Sequence, residues 1–392
     1  MELTNSTQDR LRILLAAGVP KRREGGVAAI IYNLGRELER RGHQVTYIFQ
    51  EDLIDFKKVS SRFTELVFAI RLNRYILKNR GKFSIVNLHA PSGIAYGLRR
   101  RLWGGADLPP YVMTLHGLEE RRVHVMSREV KKGRAWSFSW KNRLWHRWYH
   151  FPRFRWAIRT ADGAHAYCRE VWSTLQLQYN LDGDRVSYIP NGVEERFFIR
   201  RDYTTKQYLR LLYAGTWLDQ RGIFYIRDAL GRLAGKIPGL RMTFAGGGVA
   251  AEEIISFLGT EIANKIEIHK VVTADRMQEL YAQHDILLFP SLMEGLPSVL
   301  LEAMAAGMPV VTTETCGMPD VVENEFNGLL IPPADADAIE GAILRLAGSA
   351  ELREKLGKAA QETMRRYTWE RAALQLEALY RHVLRLESQK AE

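Results

Sequence analysis

Cysteine is almost absent from this chain: its 392 residues contain two, Cys168 and Cys316. Two thiols so far apart build neither a disulfide framework nor a zinc site. Long apolar runs are missing too. No stretch reaches the roughly 18 apolar residues of a membrane-spanning helix, so none is expected. The first residues, Met1–Arg10, are polar and lack the apolar centre of a secretory signal, which points to the cytoplasm. There is no short fixed-period repeat and no low-complexity tract. These absences exclude a disulfide-stapled module, a zinc module, a chain with a membrane-spanning helix and a short-period solenoid. They leave a globular chain long enough for two domains, with 46% hydrophobic residues to fill their cores.

Acidic residues are scarce in one place. The chain carries a net charge of +11. From Arg121 to Arg159 there are twelve Lys/Arg and one acid, Glu129, an excess equal to that of the whole chain. The remainder is therefore close to neutral. Charge concentrated in this way implies a localised anionic partner.

What is present is a strand–helix alternation, given twice. Leu11–Ala17 reads as a buried strand, followed by a loop, Gly18–Gly26, and a helical spacing over Ala28–Arg41. Gln44–Phe49, Ser84–His89, Tyr111–His116, Ala161–Ala166 and Arg185–Ile189 read as further strands. This is a doubly wound α/β opening, without the G-x-G-x-x-G of a dinucleotide site. Gly25 and Gly26 suit a tight turn with positive φ. His116 falls at the carboxyl end of its strand, where open α/β sheets bind ligands. A histidine there is as well suited to a structural hydrogen bond. Ile189–Val193 is a turn, with Pro190, Asn191 and Gly192 structural and the hinge expected near Glu194–Thr204.

The second half repeats the pattern. Strands are expected at Leu209–Ala214 and Arg241–Ala245, and a helix at Phe224–Leu233. Asp320–Asn327 and Leu329–Pro333 are expected to continue the alternation, before helices at Ala336–Leu346, Leu352–Tyr367 and Trp369–Leu386. The triple glycine Gly246–Gly248 permits close backbone approach to a ligand.

The most informative stretch is Ser291–Pro309, SLMEGLPSVLLEAMAAGMP. Apolar runs flank it at Asp285–Pro290 and Pro309–Thr313. Between them Ser298–Ala306 suits a short helix, with Pro297 in its first turn and Gly307 past its end. The N–H groups of Gly295, Leu296 and Ser298 stand at the helix start with Pro297, where unpaired donors and the dipole favour a phosphate. Glu294 lies in the loop. Glu302, one turn into the helix, can accept from two sugar hydroxyls. The geometry suits a nucleoside diphosphate joined to a sugar, although two glutamates eight apart also occur as ordinary solvated positions.

Glu294 and Glu302, spaced E-x7-E inside EGLPSVLLEAMAAGMPVV, resemble the donor signature of retaining glycosyltransferases, family 4, which have the GT-B fold. GGVAAIIYNLGRELERRGHQV resembles the amino-terminal pattern of that family. The resemblance implies two Rossmann-like domains facing a cleft, with a last helix crossing back to the first. It gives an acceptor domain over 1–195, a nucleotide-sugar domain over 196–369 and a closing helix over 370–392. It implies that Glu302 binds ribose, Glu294 contacts the transferred sugar, His116 orients that sugar, and Gly25 and Gly26 approach the donor phosphate. It implies a UDP- or GDP-sugar as substrate and no cofactor.

The departing diphosphate needs fixed donors and cations. In Gly215–Gly222, Thr216 occupies the place of the family's usual Arg and Arg221 that of its usual Lys. Arg221 can still grip a phosphate, with Thr216, Gly246 and Gly247 beside the donor; the first cation is lost or moved. No D-x-D stands in a strand-end loop with metal-binding spacing, so no metal is expected.

Ala135–Trp156 holds five of the nine tryptophans. Tryptophans with cations suit an anionic membrane surface, here Lys131, Lys132, Arg134, Trp140, Lys141, Trp145 and Trp148, within the first domain. The expectation is a lipid-linked or envelope-glycan acceptor at the inner face of a bacterial plasma membrane, in polysaccharide or lipopolysaccharide biosynthesis. Core packing of the tryptophans, a soluble acceptor, and a non-catalytic sugar-nucleotide or nucleic-acid binding module are the alternatives. Nucleic acid is disfavoured because the donor signature already accounts for the rest of the chain.

Overall fold

The computed structural model describes residues 10–22, 25–56, 59, 63–103, 105, 107–204 and 208–391. The polar start, Met1–Arg10, lies outside them apart from Arg10, as do Arg23 and Glu24 of the first loop and Glu392 of the closing segment. Two compact units emerge. One comprises 1–119, 144–191 and 369–392; the other comprises 120–143 and 192–368.

The first unit is a parallel sheet of β1 (Arg12–Ala16), β2 (Gln44–Ile48), β3 (Ile85–His89), β4 (Tyr111–Leu115), β5 (Gly163–Ala166) and β6 (Val186–Tyr188), in the order β2-β1-β3-β4-β5-β6. β3 and β4 are buried at every position, as expected for continuous apolar runs in a parallel sheet covered on both faces. The helix Thr64–Lys78 covers part of that core with Phe68, Leu72 and Ile76. The last helix, Trp369–Ala391, packs back on this sheet. Asn87 Nδ2 of β3 donates to Tyr380 Oη at 2.6 Å, and Arg41 donates to Glu377 at 2.7 Å.

The second unit is a parallel sheet of β7 (Leu209–Ala214), β8 (Leu240–Ala245), β9 (Ile266–His269), β10 (Ile286–Phe289), β11 (Val310–Thr313) and β12 (Leu329–Ile331), ordered β12-β11-β10-β7-β8-β9. Strand order reverses between β7 and β10. The crossovers that follow these two strands therefore run to opposite faces, and the carboxyl ends of the pair mark the crevice where such sheets bind ligands.

The structure departs from the sequence reading in several places. β9 was not expected, because the short, half-exposed edge sequence IEIH carries little apolar signal. Asp320–Asn327 is no regular element: a 3₁₀ turn at Met318–Asp320 leads into a loop tied by the Asn327 side chain, which donates to the Val321 carbonyl at 3.0 Å. Pro297 caps the helix Ser298–Ala305 rather than entering its first turn. The chain passes into the second unit at Asn191–Gly192, ahead of the expected hinge.

The largest correction concerns the basic segment. Residues 120–143 belong to the second unit, and only the part from Leu144 onward belongs to the first. Glu129 is buried and accepts from Tyr225 Oη at 2.6 Å. Buried Asp219 accepts from the Ser137 N–H at 2.8 Å and from its hydroxyl at 2.7 Å. Phe138 is fully buried, and Trp136 packs on Phe224 and Phe257 with ring centroids 5.1 and 5.3 Å away. Buried charge-assisted bonds and aromatic packing hold this strap to the second sheet's helices.

Candidate active site

In the second unit the loops after β7 and β10 meet. The Leu292 N–H donates to the Gln220 carbonyl at 2.9 Å. Gly222 has φ +77°, and a Cβ there would lie 2.1 Å from the Pro290 carbonyl oxygen, so this approach requires glycine. It brings Arg221 into ionic contact with Glu294. Arg221 also lies over the Phe289 ring, 5.8 Å from its centroid. Burial pushes its pKa down. Both side chains are less than one-fifth exposed, at 19% and 17%, so their charges act through little water. The second loop continues through Gly295, Leu296 and Pro297 to the amino-terminus of the helix from Ser298.

Glu302 stands on that helix. Tyr281 Oη donates to its Oε2 at 2.9 Å. Burial raises the Glu302 pKa to about 7, against the Tyr281 hydrogen bond, which lowers it. A carboxyl poised near neutrality can release its proton when new donors arrive.

Thr216 is exposed and offers no charge; its carbonyl accepts from Tyr213 Oη at 2.9 Å. The triple glycine is largely committed to the sheet. The Gly246 N–H donates to the His269 carbonyl at 2.8 Å and the Gly248 N–H to the Lys270 carbonyl at 3.0 Å. Gly246 therefore contributes shape rather than an amide donor.

The first unit holds the other predicted residues. Gly25 and Gly26 have φ +73° and +67° at the start of the helix Gly26–Arg40, conformations that glycine adopts without strain. His116 follows β4. Its Nε2 lies 2.7 Å from His89 Nδ1, and its ring stacks between His89 and Tyr167 at centroid distances of 4.9 and 4.8 Å. Burial, with His165 nearby, pushes the His116 pKa down to about 3. The imidazole is therefore neutral at physiological pH, suited to hydrogen bonding rather than to carrying charge. Its partner His89 was missed by sequence reasoning, and the only available signal was its place at the end of the neighbouring strand.

Of the basic-segment residues, Lys132 pairs with Glu129 at 3.1 Å and Arg134 with Asp228 at 2.8 Å. Lys131 and Lys141 are exposed. Trp140 and Trp148 are 65% and 75% exposed, whereas Trp145 is half-buried and stacks on Tyr149 at 4.1 Å. Among the described residues no group of three or more His, Cys, Asp or Glu is arranged to hold a metal ion, and no helix is long and apolar enough to cross a membrane.

Two family models account for most of the chain. "Glycosyltransferase Family 4" matches residues 24–197 and "Glycosyl transferases group 1" matches residues 195–363, the latter spanning the crevice just described. The chain is a family 4-like glycosyltransferase. It is 24% identical over 315 residues to an uncharacterized glycosyltransferase of Methanocaldococcus jannaschii, covering 80% of each chain. The fold is that of sucrose-phosphate synthase from Thermosynechococcus elongatus, with a TM-score of 0.77 at 19% identity over 94% of this chain and 98% of that one. It is also that of WaaG, a glycosyltransferase involved in lipopolysaccharide biosynthesis, with a TM-score of 0.72 at 16% identity over 93% and 98%. The fold of this glycosyltransferase is therefore GT-B, with its closing helix returned to the first unit.

Proposed function

We propose that this glycosyltransferase moves a sugar, with retention and without a metal, from a UDP- or GDP-sugar to a lipid-linked or envelope-glycan acceptor. The observation that carries the donor half is the convergence of Arg221, Glu294 and the helix start at the strand-order reversal of the second sheet. Bond breaking at the anomeric carbon leaves negative charge on the diphosphate. Arg221 and the N–H groups of Gly295, Leu296 and Ser298 face that charge in a partly buried site, where fixed donors act strongly. Glu302 accepts from the ribose hydroxyls. Glu294 contacts the transferred sugar, and the leaving phosphate takes the acceptor's proton. His116, neutral, orients the sugar by hydrogen bonding.

The acceptor half rests on the surface of the first unit. The helix Phe151–Arg159 packs against Ile94–Leu102. Between them they expose Leu102 and Trp156, and Trp103 and Trp148 flank them, also exposed. Arg147, Arg155 and Arg159 line a hollow together with Phe151, Pro152 and Trp156. Exposed indoles among arginines suit an anionic bilayer surface, such as the cytoplasmic face of a plasma membrane. A soluble acceptor is the second reading, favoured by the pairing of Lys132 and Arg134 inside the second unit. Cosedimentation with anionic vesicles separates the two. A thermal-shift screen over UDP-, GDP-, ADP- and CMP-sugars tests the donor, because a ligand of the native state raises the melting temperature.

A further inference from the structure

The donor crevice has a charge deficit. A departing nucleoside diphosphate is multiply anionic, yet Arg221 is in contact with Glu294, and position 216 is an uncharged threonine. Their sum leaves the junction of the β7 and β10 loops near neutral. A further cation comes from the strap. The helix Glu119–Lys131 carries Arg121 in its first turn, and Arg121 Nη2 donates to Thr315 Oγ1 at 2.6 Å. Thr315 stands just beyond β11, the strand beside β10. The turn it opens is stitched to the donor loop, because the Gly317 N–H donates to the Gly295 carbonyl at 2.9 Å. The strap itself is fixed by Glu129 and Asp219, so the position of Arg121 is set from both sides.

We infer that Arg121 is a diphosphate-binding residue of the donor site, supplying from the strap the positive charge that the β7 loop lacks at Thr216. The inference rests on the nucleotide-sugar reading of the second unit. A guanidinium presents several N–H donors in a planar fork, so one nitrogen can hold Thr315 while others meet phosphate oxygens.

Calorimetric titration of the full chain with UDP, GDP and ADP, each beside its monophosphate, tests the assignment. Arg121→Gln removes the charge and keeps a polar amide; Arg121→Lys keeps the charge; Thr315→Val removes only the anchor. The expected result is a loss of about tenfold to a hundredfold in diphosphate affinity for Arg121→Gln, the weight of a charge-assisted contact. Arg121→Lys should lose less, Thr315→Val less than about threefold, and monophosphates less than diphosphates. Unchanged diphosphate affinity in Arg121→Gln, with the wild type binding well, overturns the role of Arg121 and leaves the donor site standing. Equal losses in Arg121→Gln and Thr315→Val, for mono- and diphosphates alike, mark a merely structural contact and overturn it as well. No binding of any of the three diphosphates to the wild type removes the donor site, and this inference with it.

Discussion

Tyr281 donates to Glu302 at 2.9 Å, and this hydrogen bond holds a carboxyl whose pKa burial raises to about 7. The sign of the pH dependence follows. Between the ordinary value of 4.5 and about 7 the native state keeps a proton that the unfolded chain has released, so this group lowers stability as pH rises through that window. In the proposed donor site ribose hydroxyls donate to the ionised form, so nucleotide binding should favour proton release.

Nucleotide affinity should therefore rise from pH 6 to pH 8. At pH 6.5 binding should release a proton, visible as a dependence of the calorimetric heat on buffer ionisation enthalpy. Glu302→Gln should bind about tenfold more weakly at pH 8 and should show neither effect. Proton uptake by the wild type, or the same pH profile in Glu302→Gln, would count against the ribose role.

The strap should be part of the second unit's core. Phe138→Ala should cost about 3–5 kcal/mol in chemical denaturation, as large aromatic truncations do. Trp148→Ala, beyond the strap at a position 75% exposed, should stay within about 0.5 kcal/mol of the wild type. Similar small losses at both positions would mean that the strap is not held as described.

Membrane attachment should depend on anionic lipid and weaken with salt. Combined replacement of Trp103, Trp148 and Trp156 by Ala, or of Arg147, Arg155 and Arg159 by Glu, should release the protein from vesicles while leaving donor hydrolysis intact. Charge reversal at Lys132 and Arg134 is a poorer test, because it also breaks their bonds to Glu129 and Asp228. Failure of the wild type to bind phosphatidylserine vesicles at low salt would favour a soluble acceptor.

Excess chelator should leave the transfer rate essentially unchanged if, as proposed, Arg221 and the helix start do the work of a cation at the diphosphate. Loss of activity with EDTA and recovery with Mg²⁺ or Mn²⁺ would overturn that reading.

The donor loop was legible because strand, loop and helix follow one another directly. Ser291–Pro309 carries its own caps, and its apolar flanks are buried in both β10 and β11. The strap was not legible. What decides its allegiance is Ser137 on Asp219 and Glu129 on Tyr225, contacts spanning 82 and 96 residues that no local pattern encodes. The tryptophans of the whole basic segment were ambiguous for the same reason. Trp136 packs on Phe224 and Phe257, Trp145 stacks on Tyr149, and Trp148 stands in solvent, yet all three share one composition. The departure at Thr216 was visible in the sequence, but the cation on Arg121 needed the fold.

Turnover and binding measured together in Glu294→Ala test the central claim most directly. Release of nucleoside diphosphate from UDP- and GDP-sugars should fall by at least about a hundredfold, the scale expected when a group acting at the reacting sugar is removed. Nucleotide affinity should change far less, because the proposed ribose contact at Glu302 and the helix start remain. Unchanged turnover in both Glu294→Ala and Glu302→Gln would contradict the account.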